Sequence, residues 1–281
     1  MSLTEISPKC CSRGGMSLRH RSSISKLSKI GKMGRPRPAR GHIASGQNDM
    51  GTDTIAAPLL TVAPTQRELG GLEYGNERTR ASVVGIGRNA GEQVVDLLDA
   101  APCRLLVSLG YAGALVPHLH PGQLVVGNSY LHGASAAIPG TPHTTRAAML
   151  LRQSGLSVLE GAVLTVDEPL LTPRAKRRAH SGSGALVVDM EGRWIADAAA
   201  SRDIPLIGIR AVLDEAYYPL PAFIATIIAD GGRREWAHAL RAMSHPSAIR
   251  SFLPLALKSR RASRALAMAV QGILPAIARQ L

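Results

Sequence analysis

The sequence is short of several things, and each shortage removes a class of protein. It holds three cysteines, two of them adjacent (Cys10, Cys11), which builds neither a disulfide framework nor a C-x-x-C zinc site. No stretch reaches the roughly 18 uninterrupted apolar residues of a membrane-spanning helix, which argues against an integral membrane protein. Aromatic residues make up 3% of the chain, too few for the base-stacking platforms of single-strand binders, so no specific nucleic-acid partner is expected. The histidines lack ligand spacing, and His118-Leu-His120 reads as a surface loop, so no metal is expected. Acids are scarce as well: 20 Asp/Glu face 33 Lys/Arg in 281 residues, a formal charge of +13.

That excess is concentrated. Residues 1–50 carry ten Lys/Arg and two acids, hence +8 of the +13. The stretch is rich in Ser and Gly and has no sustained apolar period, so burial cannot offset its ordering entropy. It is expected to be a disordered basic extension over residues 1–56. Three readings compete for it: an electrostatic arm for nucleic acid or anionic lipid, a basic targeting segment, and a solvated tail or a start codon read too early, with Met16, Met33 and Met50 as internal alternatives. The last is preferred. The stretch also lacks the apolar core of a secretory signal.

From about residue 57 short β-branched runs alternate with helical stretches. Strands are expected at Pro58–Val62, Ala81–Gly87, Arg104–Leu109, Gln123–Asn128, Val158–Val166, Ala185–Met190 and Leu206–Val212. Most are continuous apolar runs, as for strands covered on both faces. Helices are expected at Asn89–Ala100, Thr144–Ser154, Pro173–His180 and Glu191–Ser201. The alternation implies an α/β fold, a largely parallel or mixed sheet with helices on both sides, over residues 57–220. Residues 221–281 read as a helical extension of three or four helices, broken near Gly231-Gly232, Pro246 and Pro254 or Pro275. Lys258, Arg260, Arg261, Arg264 and Arg279 beside apolar residues suit either a docked helix with a solvated face or one lying on a membrane surface.

Three motifs carry chemistry. Gly85-Ile-Gly87-Arg88-Asn-Ala-Gly91 falls short of a dinucleotide fingerprint, since its third glycine comes late and no acid follows about twenty residues on. As a strand-to-helix turn it still offers N–H groups to an anion, with Arg88 beside them, or is simply a tight turn. Gly110-Tyr111-Ala112-Gly113 ends an apolar strand in small residues, which either lets a ligand approach the backbone or makes an ordinary turn. Val187-Val-Asp189-Met190-Glu191 and Arg210-Ala-Val-Leu-Asp214 end two strands in carboxylates. Such acids can cap helices, or together form an acid–base or ribose-binding site.

These motifs, in this order and with Pro121-Gly122-x-Leu-Val-Val between them, resemble the purine nucleoside phosphorylase / methylthioadenosine nucleosidase superfamily over residues 57–216. The Met-Glu and Arg-x-x-x-Asp elements are the most specific. Pro219-Leu-Pro221, Ala229-Asp-Gly-Gly and the basic helical end through Arg264 are similar to the hopanoid-associated phosphorylase branch, which acts on adenosylhopane. The resemblance implies a three-layer α-β-α sandwich around a central mixed sheet. It implies that Glu191 binds ribose with Met190 packed under the sugar, that Asp214 protonates purine N7, and that Glu68 activates water in hydrolytic members. The segment around Asp167, Pro169 and Leu170 would flank the base, and Gly110, Tyr111, Ala112 and Gly113 would lie against the substrate. Two positions depart from the family: Leu213 stands where Ser usually precedes the acid, and Tyr111 where Ser or Thr is usual.

The implied reaction is cleavage of an adenosine-type N-glycosidic bond. To protonate N7 near neutral pH, Asp214 must be held protonated, which an apolar and shielded pocket would do. The branch resemblance favours phosphorolysis of adenosylhopane, releasing adenine, with inorganic phosphate as co-substrate bound by Arg88 and the Gly110–Gly113 turn. Hydrolysis of methylthioadenosine or S-adenosylhomocysteine with Glu68 as base, or nucleoside binding without turnover, are the alternatives. No other cofactor is expected. The resemblance further implies a homo-oligomer in the cytoplasm, with peripheral contact at the inner membrane if the substrate is lipid-linked.

Overall fold

The computed structural model describes residues 59–72, 79–101, 103–221, 224–225 and 246–278. The basic extension and Gly231-Gly232 lie outside the described residues. Eight strands form one mixed sheet: β1 (Leu59–Ala63), β2 (Thr79–Val83), β3 (Leu105–Ala114), β4 (Leu124–Leu131), β5 (Ile138–Pro139), β6 (Val158–Thr165), β7 (Val187–Asp189) and β8 (Leu206–Asp214). Five helices accompany them: α1 (Asn89–Ala100), α2 (Pro142–Gln153), α3 (Pro173–Ser183), α4 (Gly192–Ala200) and α5 (Pro246–Ala278).

Alternation along the strands builds two cores. Leu59, Leu105, Val107, Leu124, Ile207 and Ile209 face α2 and α5. Leu60, Val62, Leu106, Val125, Leu206 and Val212 face α1 and α4. This is the expected three-layer sandwich, because each strand position with side chains of period two needs a helix on either side. Helix starts follow local chemistry: Pro142 and Pro173 stand in the first turns of α2 and α3, and Thr172 Oγ1 accepts from Ala175 N at 3.2 Å. The α3 end is closed by Gly184 at φ +70°.

The long strand β3 organises the site. It pairs in parallel with β1 and β8, then shifts register between Ala112 and Gly113 and meets β7 antiparallel. With β8–β4, β4–β6 and β6–β7 pairing, β3, β8, β4, β6 and β7 close a ring. The shift sets Gly113 opposite both Val188 and Asp214. The ends of β7 and β8, which carry the acidic motifs, therefore converge on Gly110–Gly113, which is not the turn expected after Leu109 but the continuation of β3, held in the ladder by β8.

The C-terminal region differs from the sequence-based expectation. Residues 246–278 are one helix, with Pro254 and Pro275 inside it. Pro removes one ladder hydrogen bond and crowds the preceding turn, at a cost of about 3 kcal/mol. Both prolines stand on the exposed side, whereas Leu255, Ala262, Leu266, Ala269, Ile273 and Ile277 form a continuous buried stripe. Packing of that stripe outweighs the local preference. The strand β5 was not anticipated, being only two residues long.

Candidate active site

Beside the converged strand ends lies a cavity of about 490 Å³, within the range of small-molecule sites. Glu68, Glu191 and Asp214 all reach its wall, and each is buried, at 6%, 7% and 2% exposure. They come from three different places: the turn after β1, the start of α4 and the end of β8.

Each carboxyl is held in its own way. Glu68 accepts from the Tyr111 backbone N–H at 2.8 Å and from Thr65 Oγ1 at 2.6 Å. Glu191 accepts from the Gly87 backbone N–H at 2.9 Å, which ties the Gly-Ile-Gly turn to the Met-Glu motif. Burial, with Asp189 and Glu68 nearby as like charges, pushes the Glu191 carboxyl up to about 8 against the opposing pull of the Gly87 N–H and Arg210.

Asp189 has a structural duty beneath this. Its Oδ2 accepts from Arg210 Nε at 2.6 Å and from the Gly192 N–H at 3.0 Å, and its Oδ1 accepts from Thr165 Oγ1 at 2.6 Å. Arg210 reaches across to Ser108 O and Oγ. The Arg210–Asp189 pair is buried and hydrogen-bonded on both sides, as a charge pair out of water must be. It locks β3, β7 and β8 where the two acidic motifs meet.

Asp214 stands differently from expectation. The sequence pointed to an apolar pocket around it, yet Lys176 Nζ donates to Asp214 Oδ2, and Lys176 has no exposed surface. Lys176 Nζ also donates to Glu215 O at 2.8 Å and Tyr218 O at 3.3 Å. Burial still pushes the Asp214 carboxyl above its ordinary range, with Lys176 opposing. Nothing in the run Pro173-Arg-Ala-Lys176-Arg-Arg marks this lysine out from its solvated neighbours.

Of the other residues singled out by sequence, Met190, Tyr111, Ala112, Gly113, Pro169 and Leu170 line the cavity. Gly110 does not; it lies against the Arg210 side chain, 3.5 Å from where a Cβ would stand, an ordinary contact distance. Arg88 and Asp167 also lie off the wall. Arg88 stacks 3.9 Å above the Trp194 ring and comes within 3.9 Å of Asp167, both side chains being more than 60% exposed. The Tyr111 hydroxyl turns away to Ser263 Oγ of α5 at 2.6 Å.

Sequence reasoning did not foresee α5 at the site. Leu255, Ala256 and Ser259 form part of the wall, and Lys258 bonds Glu215 Oε2 at 2.6 Å while lying over the Tyr218 ring. Among the described residues no three His, Cys, Asp or Glu are grouped to hold a metal, and no helix is long and apolar enough to cross a membrane.

Comparison with known proteins agrees with this architecture. A 5′-methylthioadenosine/S-adenosylhomocysteine nucleosidase of Mycobacterium bovis is 28% identical over 181 residues, 50% of this chain and 70% of the relative. One from Maridesulfovibrio salexigens is 28% identical over 153 residues, 47% and 66% of the two chains. Among solved structures, the Helicobacter pylori nucleosidase with butyl-thio-DADMe-Immucillin-A superposes with a TM-score of 0.57 at 15% identity, covering 77% of this chain and 98% of that one. Futalosine hydrolase of the same organism gives 0.53 at 16%, covering 57% and 88%. At such identities the structural likeness speaks for the fold. The model of the phosphorylase superfamily matches residues 72–233, more than half of the chain, and the chain accordingly belongs to that superfamily of glycosidic-bond-cleaving enzymes.

Proposed function

We propose that this chain cleaves the N-glycosidic bond of an adenine nucleoside, with water as the nucleophile. The observation that carries this reading is the meeting of Glu68, Glu191 and Asp214 on one cavity wall. Asp214 delivers a proton to purine N7, making adenine a better leaving group. Glu191 hydrogen-bonds the ribose 2′ and 3′ hydroxyls and orients the sugar over Met190. Glu68, oriented by Thr65 and Tyr111, takes the proton of the attacking water. Pro169 and Leu170 flank the base. Water and substrate suffice, and no cofactor enters.

The branch resemblance favoured phosphate, and three features argue for water instead. Arg88 lies outside the cavity, the Tyr111 N–H is already engaged by Glu68, and the Glu68 carboxylate is a poor neighbour for a phosphate dianion. The substrate we propose carries an apolar 5′ group, as adenosylhopane does, because Ile86, Val166, Leu220, Ile224 and Leu255 give the wall an apolar character. A substrate with an apolar group as large as a hopanoid would reside in a membrane. The outward face of α5 exposes Leu257, Met268, Arg260, Arg261 and Arg264, and residues 246–278 contain no acid, which suits peripheral contact with anionic lipid.

The test is adenine release from adenosylhopane and from methylthioadenosine, each with and without phosphate. Phosphate-independent release, faster from the hopanoid, is expected. Release that requires phosphate would overturn the role of water, and no adenine from either would overturn the glycosidase reading. Binding to anionic but not neutral vesicles checks the membrane contact.

A further inference from the structure

The buried lysine of α3 is not accounted for by any role above. In an eleven-residue helix that carries Arg174, Arg177 and Arg178 toward solvent, Lys176 is the buried residue. It stands in the first turn, where a cation runs against the helix dipole. Burying an ammonium there is costly unless every proton finds an acceptor. The structure supplies three acceptors, Asp214 Oδ2, Glu215 O and Tyr218 O, matching the three N–H donors of a charged lysine. Lys176 also forms part of the cavity wall.

This arrangement bears on a difficulty in the chemistry. An aspartate facing an ammonium is stable as a carboxylate, and a carboxylate has no proton for N7. Burial raises Asp214 above the ordinary carboxyl range, which lessens the penalty for passing it a proton from the group in contact with it. The charged groups facing Asp214 are Lys176 from α3, Lys258 from α5 and Glu215 from its own strand end. Lys258 is engaged with Glu215 Oε2, leaving Lys176 as the cation in direct contact.

We propose that Lys176 is the proton source for Asp214, a positioning residue that acts on the substrate through that carboxyl. The inference rests on the glycosidase reading and deepens it. As the C1′–N9 bond breaks, its electron pair passes to the purine. N7 takes a proton through Asp214 and Lys176 gives one to Asp214, so the aspartate ends as it began and the ammonium becomes an amine. Water adds at C1′ and gives its proton to Glu68. Solvent then returns a proton to Lys176 and removes one from Glu68. Leu213, the residue before this acid, brings no hydrogen-bonding side chain to it, and the lysine orients the carboxyl instead.

The test compares native protein with Lys176→Met and Lys176→Arg, using methylthioadenosine and a riboside whose nitrophenolate leaving group departs without a proton. Lys176→Met is expected to lower kcat for adenine release by about a hundredfold or more, with nitrophenolate release near the native rate. Its activity would depend on a proton resident on Asp214 itself, so the alkaline limb of its pH profile moves to lower pH. Lys176→Arg keeps the charge but cannot give up a proton, and is expected to hold KM while leaving kcat low. An unchanged rate and pH profile in Lys176→Met, equal loss of both leaving groups, or full rescue by arginine would each overturn the proposal while leaving the glycosidase reading in place. If the native chain cleaves neither substrate, the glycosidase reading fails and the inference falls with it.

Discussion

The backbone N–H of Tyr111 donates to Glu68 Oε1 at 2.8 Å across 43 residues of sequence. One atom near the end of β3 thus fixes one oxygen of a carboxylate from the turn after β1, and the other oxygen is fixed by Thr65. A base for water needs this two-point hold, since free rotation would scatter its orientation. Glu68→Gln keeps the shape and an acceptor for the Tyr111 N–H but cannot take a proton. It should lower adenine release by roughly 10²–10⁴-fold with little change in melting temperature. Steady-state release of adenine, read beside a thermal melt, checks it.

Asp214→Asn tests the other end of the reaction. Its amide can still accept from Lys176 but relays no proton, so release of adenine should fall by about 10²–10⁴-fold. The nitrophenolate riboside should be much less affected. Full retention of adenine release would show that N7 is protonated by another group.

Glu191 offers a pH dependence with a definite sign. Its carboxyl stands at about 8 in the folded chain against an ordinary value of 4.5. The folded state therefore binds more proton than the unfolded chain between those values, and stability declines as pH rises through that window and levels off above it. Asp214, also raised, contributes a decline of the same sign. Glu191→Gln should flatten the curve and make the variant more stable than the native chain above pH 8, by on the order of 1–3 kcal/mol. Denaturant midpoints across the pH range measure it; a native curve rising between pH 5 and 8 would contradict the assignment.

Much of this site was legible because its chemistry sits at strand ends. Apolar runs that stop at Asp189-Met190-Glu191 and Asp214 announce both the strands and the edge where they deliver acids, and register places the edges together. What stayed hidden had no local signature. Lys176 shares a run of cations with Arg174, Arg177 and Arg178, and only the tertiary partner distinguishes it. Arg88 was singled out because a cation after a Gly-rich turn suits an anion, but the competing attraction of the Trp194 face, over a hundred residues away, wins. The unity of α5 was obscured because proline acts locally while the buried stripe that overrides it is read only against the sheet.

Tyr111→Phe separates the role of the β3 backbone at this position from that of the side chain. The hydroxyl lies 2.6 Å from Ser263 Oγ, which itself donates to Ser259 O at 2.9 Å, so the tyrosine is the donor. Removing it should cost about 0.5–1.5 kcal/mol of stability by loosening β3 from α5, while the N–H that holds Glu68 remains. Adenine release should stay near native at temperatures well below the melt.

Arg88→Ala addresses the nucleophile directly. The guanidinium is 63% exposed, stacked on Trp194, and 3.9 Å from Asp167, so its removal should change stability by no more than about 0.5–1 kcal/mol. If water attacks, adenine release by the variant is unchanged whether or not phosphate is present. A loss confined to phosphate-supported release would instead place Arg88 on the co-substrate, and would require the Gly85–Gly87 turn to move so that its cation reaches a cavity it does not line in this structure. Measuring initial rates at several phosphate concentrations in the native chain and the variant decides between the two, because only the second case makes the phosphate dependence itself sensitive to residue 88.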